Sequence, residues 1–420
     1  MQEKSKLAEA LHADAERIIR SAITAVLPDE AVERALAGRC FPGRVFLVAA
    51  GKAAWQMARA GRACLGDNFC GGVVVTKYGH VRGDIPGVIC YEGGHPVPDE
   101  NSLRGTAAAL ALTEGLSADD TVVFLLSGGG SALFEKPLVP LDEMQDITNQ
   151  LLAAGANIVE INTIRKRLSA VKGGRFAQHC APAQVCSVIL SDVLGDLPDM
   201  IASGPAYPDT STCGQALAVA ARYSLRLSEK AQKLLARETP KVLPNVETQI
   251  TGSVRTLCAA AAETCNALGY EPLLLTDCLC CEAREAGSML ASVARTHARD
   301  GKNLAFLAGG ETVVHLQGSG RGGRNQEIAL AAACGIEGIT NALIFSVGSD
   351  GTDGPTDAAG GIADGETVCL LRKKGIDPVR ALGENDAYPA LDAIGALIRT
   401  GATGTNVNDV SIVLLRAAEA

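Results

Sequence analysis

The sequence predicts an α/β protein of two domains, each built on a mainly parallel sheet. Three observations carry this. Short β-branched runs alternate with Ala-rich helical stretches, the pattern of strands joined by crossover helices. The runs are apolar without interruption, as in TVVFLL at 121–126, which suits strands covered on both faces. At 420 residues the chain is longer than one core usually holds.

The elements follow in order. VFLVAA, 45–50, is a strand, and Lys52 opens the helical GKAAWQMARA after it. GGVVVT leads into the turn KYGH, ending at His80. TVVFLL runs straight into SGGGS, Ser127 to Ser131. CSVIL is followed by SDVLGDLPD. The stretch RETPKVLPNVETQITGS, 237–253, contains Pro, is polar and lacks a helical period. A domain boundary is expected there, giving domains 1–245 and 246–420. EPLLLTD, LAFLAGG and LIFSVGS are the strands expected beyond it.

Composition narrows the function. With Gly 46, Phe 8 and Trp 1, many tight turns and a core of small aliphatic side chains are expected. The net charge of −9 argues against nucleic acid or an anionic membrane as partner. The N-terminal segment alternates charges through a helical period and has no apolar signal core. No apolar run approaches the roughly 18 residues of a membrane span. The 14 cysteines are scattered, many inside apolar segments, as at Cys90, Cys186, Cys258 and Cys334. That fits a cytoplasmic chain with reduced thiols better than a disulfide scaffold.

The polar residues sit just after strands, where open α/β sheets bind ligands. In SGGGS, three glycines let amide N–H groups approach a ligand without side-chain interference, and a row of such groups attracts anions. It is not a Walker A sequence, because no Lys-Ser/Thr pair follows at the required spacing. Lys52 can meet a phosphate as a mobile point charge. GSGRGGRNQE, from 318, matches the dinucleotide pattern formally at Gly318, Gly320 and Gly323, after the strand-like TVVHLQ. Its Arg321 and Arg324 carry forked donors suited to carboxylate or phosphate oxygens. Acidic residues cluster at Asp192, Asp196 and Asp199, and again at Asp350, Asp353, Asp357 and Asp364. Magnesium in phosphoryl transfer takes one or two carboxylates plus phosphate oxygens. His80 and His95 lie in Gly-rich turns and are read as ordering those turns. Cys278, Cys280 and Cys281 lack a second spaced pair and a nearby His, so they are read as incidental.

AAGKAAW, VVVTKYGH, GGHPVPDENS, LLSGGGSALFE, INTIRKRLSAVKGGRFA, SDVLGDLPDMIASGPAYPD, GGETVV, GGRNQE, GTDGPTDAAGG and TGATGTNVND together resemble the glycerate 2-kinases, or class II glycerate kinases. These proteins end in a MOFRL domain and have also been called hydroxypyruvate reductases. The blocks run in the same order from about residue 45 to 410.

The resemblance implies ATP-dependent phosphorylation of D-glycerate at its 2-hydroxyl. It implies a larger Rossmann-like N-terminal domain, a smaller MOFRL domain and an active site in the cleft between them. ATP and Mg²⁺ are the implied cofactors, and a monomer or homodimer is expected. The family's lysine after the first strand falls on Lys52, and the arginine of GGRNQE on Arg324. On this reading Ser127, Gly128, Gly129, Gly130 and Ser131 hold ATP phosphates. Lys52 neutralises the moving phosphoryl group. Arg324, Asn325 and Asp196 bind substrate. Asp192 accepts the hydroxyl proton, with Asp196 and Asp350 as rivals, and Asp350 and Asp353 hold the metal.

The sequence departs from the usual pattern at four places. Arg167 stands where His is usual, Ala387 where Ser is, Ala402 where Pro is, and Cys281 where Gly is common. The rival class is a nicotinamide-dependent hydroxypyruvate reductase resting on Gly318–Gly323. It lacks the acidic residue expected about 20 positions later. A non-enzymatic binding module is disfavoured by the dense polar turns at strand ends.

Overall fold

The computed structural model describes residues 2–417, with side chains from Lys6 onward. The chain divides into two compact units. The central unit is Pro28–Thr251, and the terminal unit joins Met1–Leu27 to Gly252–Ala420.

The central unit holds a six-stranded sheet of β1 (Val45–Ala50), β2 (Phe69–Lys77), β3 (Val88–Gly93), β4 (Thr121–Leu126), β5 (Gln184–Leu190) and β6 (Val246–Gly252). The spatial order is β3-β2-β1-β4-β5-β6, and β3-β2-β1-β4-β5 pair in parallel throughout. This is the doubly wound order, whose direction reverses between β1 and β4. Alternate residues of β4 supply two cores. Phe124 packs on Phe176 at 4.8 Å between ring centres on one face, and Val123 and Leu125 join Leu47, Trp55 and Met57 on the other. Continuous apolar strands are thereby accounted for, since both faces are covered.

The terminal unit holds β7 (Glu271–Leu279), β8 (Leu304–Gly310), β9 (Ala342–Gly348), β10 (Gly360–Asp364), β11 (Leu397–Ile398) and β12 (Asp409–Leu415). The order is β11-β10-β9-β12-β8-β7. β7 and β8 are parallel, whereas β12 enters antiparallel between β8 and β9, and β10 is antiparallel to β9 and β11. Four of the six strands thus share one direction, and β10 and β12 run against them. The helix Arg324–Ile336 packs across this sheet and is buried along nearly its whole length.

The division differs from the expected 1–245 and 246–420 at both ends. Residues 246–252, assigned from sequence to the second domain, form β6 beside β5, and the Val185 N–H donates to the Asn245 carbonyl at 2.7 Å. The N-terminal helix Gln2–Ala25 belongs to the terminal unit. Leu11, Ala15, Ile18 and Ala22 form its buried stripe at helical spacing. Its Asp14 carboxylate accepts from the Tyr270 hydroxyl and the Arg416 guanidinium, each at 2.6 Å. An amphipathic stripe announces that a helix will be buried; it carries no address for the partner.

Candidate active site

In the central unit the ends of β1 and β4 flank the point where strand order reverses, and two predicted loops meet there. The Lys52 N–H donates to the Gly128 carbonyl at 2.8 Å, and the Ser127 N–H donates to the Ala50 carbonyl at 3.0 Å. The Ser127 hydroxyl is buried and accepts from the Ala53 N–H at 3.1 Å. Ser127 therefore ties the two loops together. The Lys52 carbonyl in turn accepts from His80 Nδ1 at 2.8 Å and from the Thr76 hydroxyl at 3.3 Å. Its backbone is held from three sides, and the Lys52 ammonium makes no hydrogen bond or ion pair among the described residues.

The three glycines are packed closely. A Cβ on Gly128 would lie 2.2 Å from Asp192 Oδ2, so the carboxylate at the end of β5 sits directly against this loop. Gly129 has φ +83°, and a Cβ there would meet both the Lys52 stem and the His95 ring at 3.1 Å. Lys52, the SGGGS loop, Asp192 and His95 are thus brought together. Asp196 lies farther along, in a left-handed turn at φ 51°, with its buried Oδ1 lacking a hydrogen bond among the described residues. Gly128→Ala should displace the Asp192 carboxylate. We expect turnover to fall by about a hundredfold, the order seen for roughly 1 Å misplacements, measured as kcat alongside an unchanged far-ultraviolet circular dichroism spectrum.

Behind the loop lies a charged cluster that the sequence reading missed. Arg165 donates to the Ser131 carbonyl at 3.0 Å. The fully buried Lys172 ammonium donates to the Phe134 and Ala202 carbonyls at 3.1 and 3.2 Å and faces the buried Glu135 at 3.7 Å. Burial pulls the Lys172 ammonium down to about 8, against the opposing pull of Glu135. Arg167, at the position where His is usual, is also fully buried and donates to Thr163 and Ser211 oxygens at 2.9 Å. Its role is to hold the helix Ile158–Leu168 to the Ser211 turn.

The terminal unit carries the other predicted residues. Arg324 opens the helix Arg324–Ile336. Its guanidinium grips Asp409 with Nε and Nη2 at 2.5 and 3.0 Å, and Nη1 donates to Glu311 at 2.9 Å. Burial opposes the charge on Arg324, but Asp409 and Glu311 raise its pKa above the ordinary value. Asp409 is itself buried, which holds its own pKa up. Arg324 retains partial exposure, at 31% of its side chain, so the fork is aimed by two carboxylates and still reachable. Neither Asp409 nor Glu311 was marked from sequence.

Asp353 and Asn325 do not sit as expected. Asp353, expected beside a metal, caps the Arg324 helix. Its two oxygens accept from the Asn325 and Gln326 N–H groups at 3.2 and 2.9 Å. Asn325, expected to bind substrate, is fully buried, with its amide oxygen accepting from the Ser346 hydroxyl at 2.5 Å. Asp350 lies in a turn, three residues before Asp353. One oxygen accepts from the Thr352 N–H at 2.9 Å, and the other makes no hydrogen bond among the described residues. A lone carboxylate fits magnesium when phosphate oxygens complete the shell.

Burial raises the Asp353 pKa to about 6, and this has a consequence for stability. The native carboxylate binds its proton more tightly than the unfolded chain does, so native protein holds more protons between about pH 4 and pH 6. Stability contributed by this group therefore falls as pH rises through that window. The shift corresponds to on the order of 3 kcal/mol. Asp353→Asn is expected to flatten that slope, read from melting temperature against pH.

The dinucleotide-like glycines have a different explanation. TVVHLQ forms no strand beyond an isolated bridge at Val313, and β8 ends at Gly310. Cβ atoms on Gly318 and Gly320 would lie 2.4 and 2.5 Å from Glu384 backbone atoms, so these glycines permit two loops to touch. Arg321 stacks on Tyr388 at 4.2 Å. The helix N-terminus, where a pyrophosphate would bind, already holds the Asp353 carboxylate.

Cys278, Cys280 and Cys281 are exposed free thiols, and Cys278 donates to Asp277 at 3.4 Å. No group of three His, Cys, Asp or Glu side chains arranged to hold a metal occurs among the described residues. Nor is any described helix long and apolar enough to cross a membrane.

Comparison with known proteins brings both halves under one heading. Residues 14–236 match a domain of unknown function (DUF4147), and residues 304–409 match the MOFRL family. A D-glycerate 2-kinase from Thermotoga maritima is 51% identical over 413 residues, covering 97% of this chain and 99% of that protein. The chain belongs to the glycerate 2-kinase family. A family relative from Agrobacterium vitis, 40% identical over 417 residues (95% of this chain, 93% of that one), bears a provisional hydroxypyruvate reductase name. The crystal structure of the Thermotoga maritima glycerate kinase superposes with a TM-score of 0.94 at 50% identity, covering 97% of this chain and 100% of that one. In glycerate 2-kinase terms, the strand-end loops of the central unit belong to the first matched region and the Arg324 fork to the MOFRL region.

Proposed function

We infer that this protein is a glycerate 2-kinase, a phosphotransferase that converts D-glycerate and ATP into 2-phospho-D-glycerate and ADP. The observation that carries the reading is the full-length 51% identity to a D-glycerate 2-kinase. The meeting of Lys52, SGGGS and Asp192 at the strand-order reversal supports it. The test is phosphorus NMR of the product formed from ATP, Mg²⁺ and D-glycerate. A 2-phosphoglycerate resonance is expected. A 3-phosphoglycerate signal alone would overturn the regiochemistry, and oxidation of NADH by hydroxypyruvate at a comparable rate would overturn the class.

Phosphoryl transfer is mostly positioning and charge neutralisation, and the residues divide accordingly. The Gly128–Gly130 backbone and Ser131 cradle ATP phosphates, while Ser127 holds that loop to the Lys52 loop. Lys52 neutralises the moving phosphoryl group. Asp192 takes the proton of the 2-hydroxyl as the new O–P bond forms and the bond to ADP breaks. Arg324 supplies a forked donor to glycerate carboxylate or to the phosphoryl group, and Asp196 assists in placing substrate. Asp350 would hold Mg²⁺ together with phosphate oxygens, which supplies charge neutralisation. Lys52 and Arg324 act on one substrate pair, and exclusion of water from the phosphoryl group favours transfer over hydrolysis. The enzyme works in the cytoplasm as a monomer or homodimer, without nucleic acid or membrane partners.

A further inference from the structure

We propose that His95 and Lys77 complete an anion pocket with Lys52 above Gly129, in which His95 hydrogen-bonds an anionic oxygen of a substrate. The placement rests on the glycerate 2-kinase reading for its ligands and on geometry for its existence. A Cβ on Gly129 would lie 3.1 Å from His95 Cδ2, 3.2 Å from His95 Nε2 and 3.1 Å from Lys52 Cγ. The Nε2 edge of the ring therefore lies along the same glycine as the lysine stem. Lys77 ends β2 in register with Gly93, two residues before His95. Neither ring nitrogen of His95, nor the ammonium of Lys52 or Lys77, makes a hydrogen bond or ion pair among the described residues.

The nearby carboxylates are occupied or lie against other groups. Asp99, against Gly94, accepts from the Tyr78 hydroxyl at 2.6 Å and the Ser102 N–H at 2.9 Å. Glu92 on β3 accepts from the Val81 N–H at 2.9 Å. Asp192 lies against the neighbouring Gly128. His80 is bonded to the Lys52 carbonyl.

Cationic groups gathered together disfavour one another's charged forms in partly desolvated surroundings. Burial, then Lys52, Lys77 and His80, accordingly push the His95 imidazole below its ordinary pKa. An arriving anion reverses the balance. It favours the imidazolium, which becomes a second charge-assisted donor beside Lys52. Two substrate groups share this chemistry, the ATP phosphates and the glycerate carboxylate.

The experiment is histidine ¹H–¹⁵N NMR of the full chain, with the His95 signal assigned by its loss in His95→Gln. The ring is titrated alone, with ADP and Mg²⁺, and with D-glycerate. His95 should titrate below the ordinary histidine value alone and rise by about one unit or more with an anion bound, the usual effect of a close opposite charge. A rise with ADP assigns the pocket to phosphate, and a rise with D-glycerate assigns it to the carboxylate. No rise with either, or with both together, overturns the pocket. Product formation is scored separately. Wild-type protein that makes 2-phosphoglycerate while His95 stays unmoved sinks the pocket alone. Protein that makes none while His95 moves with ADP sinks the kinase reading and leaves the pocket supported.

Discussion

Lys52→Ala is expected to lower kcat by at least about a hundredfold, the order seen when one preorganised electrostatic donor is removed, with a modest change in the KM for glycerate. The reason lies in when the charge matters. A contact that strengthens as the phosphoryl group moves lowers kcat when lost, whereas uniform binding would appear in KM. The structure makes this substitution unusually clean. The Lys52 backbone is fastened to Gly128, His80 and Thr76, and its ammonium supports nothing else among the described residues. The melting temperature should therefore stay near that of wild type. A well-folded Lys52→Ala with near-normal turnover would remove Lys52 from the phosphate role and leave the site to SGGGS and the aspartates.

Arg324 should fail differently. Arg324→Lys retains a cation but cannot reproduce the fork held by Asp409 and Glu311. We expect kcat to fall by at least about a hundredfold, comparable to the loss of a transition-state donor. Arg324→Ala should in addition leave Asp409 as an unpaired buried carboxylate. That change destabilises folded proteins by about 3–5 kcal/mol, read from chemical denaturation. The two measurements separate the roles. If Arg324→Lys turns over normally while Arg324→Ala melts early, Arg324 belongs to the framework and the substrate fork must be sought elsewhere.

Much of the candidate site was legible because its residues are local to strand ends. SGGGS, the lysine after the first strand and the aspartate after VIL each lie within a few residues of a strand end, and strand ends in α/β sheets are where ligands bind. The structure brings these three segments together through β1, β4 and β5. Asp353 and Asn325 misled for the same local reason. An Asp in a Gly-rich turn has identical sequence surroundings whether it faces a metal or caps a helix 28 residues upstream in the chain.

What the sequence determined by itself was the α/β class, the principal strands and the family blocks. Each follows from apolar periodicity or from contiguous residues, and both act over one element at a time. Tertiary structure alone decided that β6 joins the first sheet, that the N-terminal helix joins the terminal unit, and that β12 enters between β8 and β9. It also set the partners of the charges: Asp409 and Glu311 on Arg324, Glu135 facing Lys172, and His95 along Gly129. The physical reason is that hydrophobic burial is nondirectional, so a pattern can specify that a face is covered. A charge or hydrogen bond is satisfied only by a particular atom a few ångströms away, and which atom that is depends on the path of the whole chain.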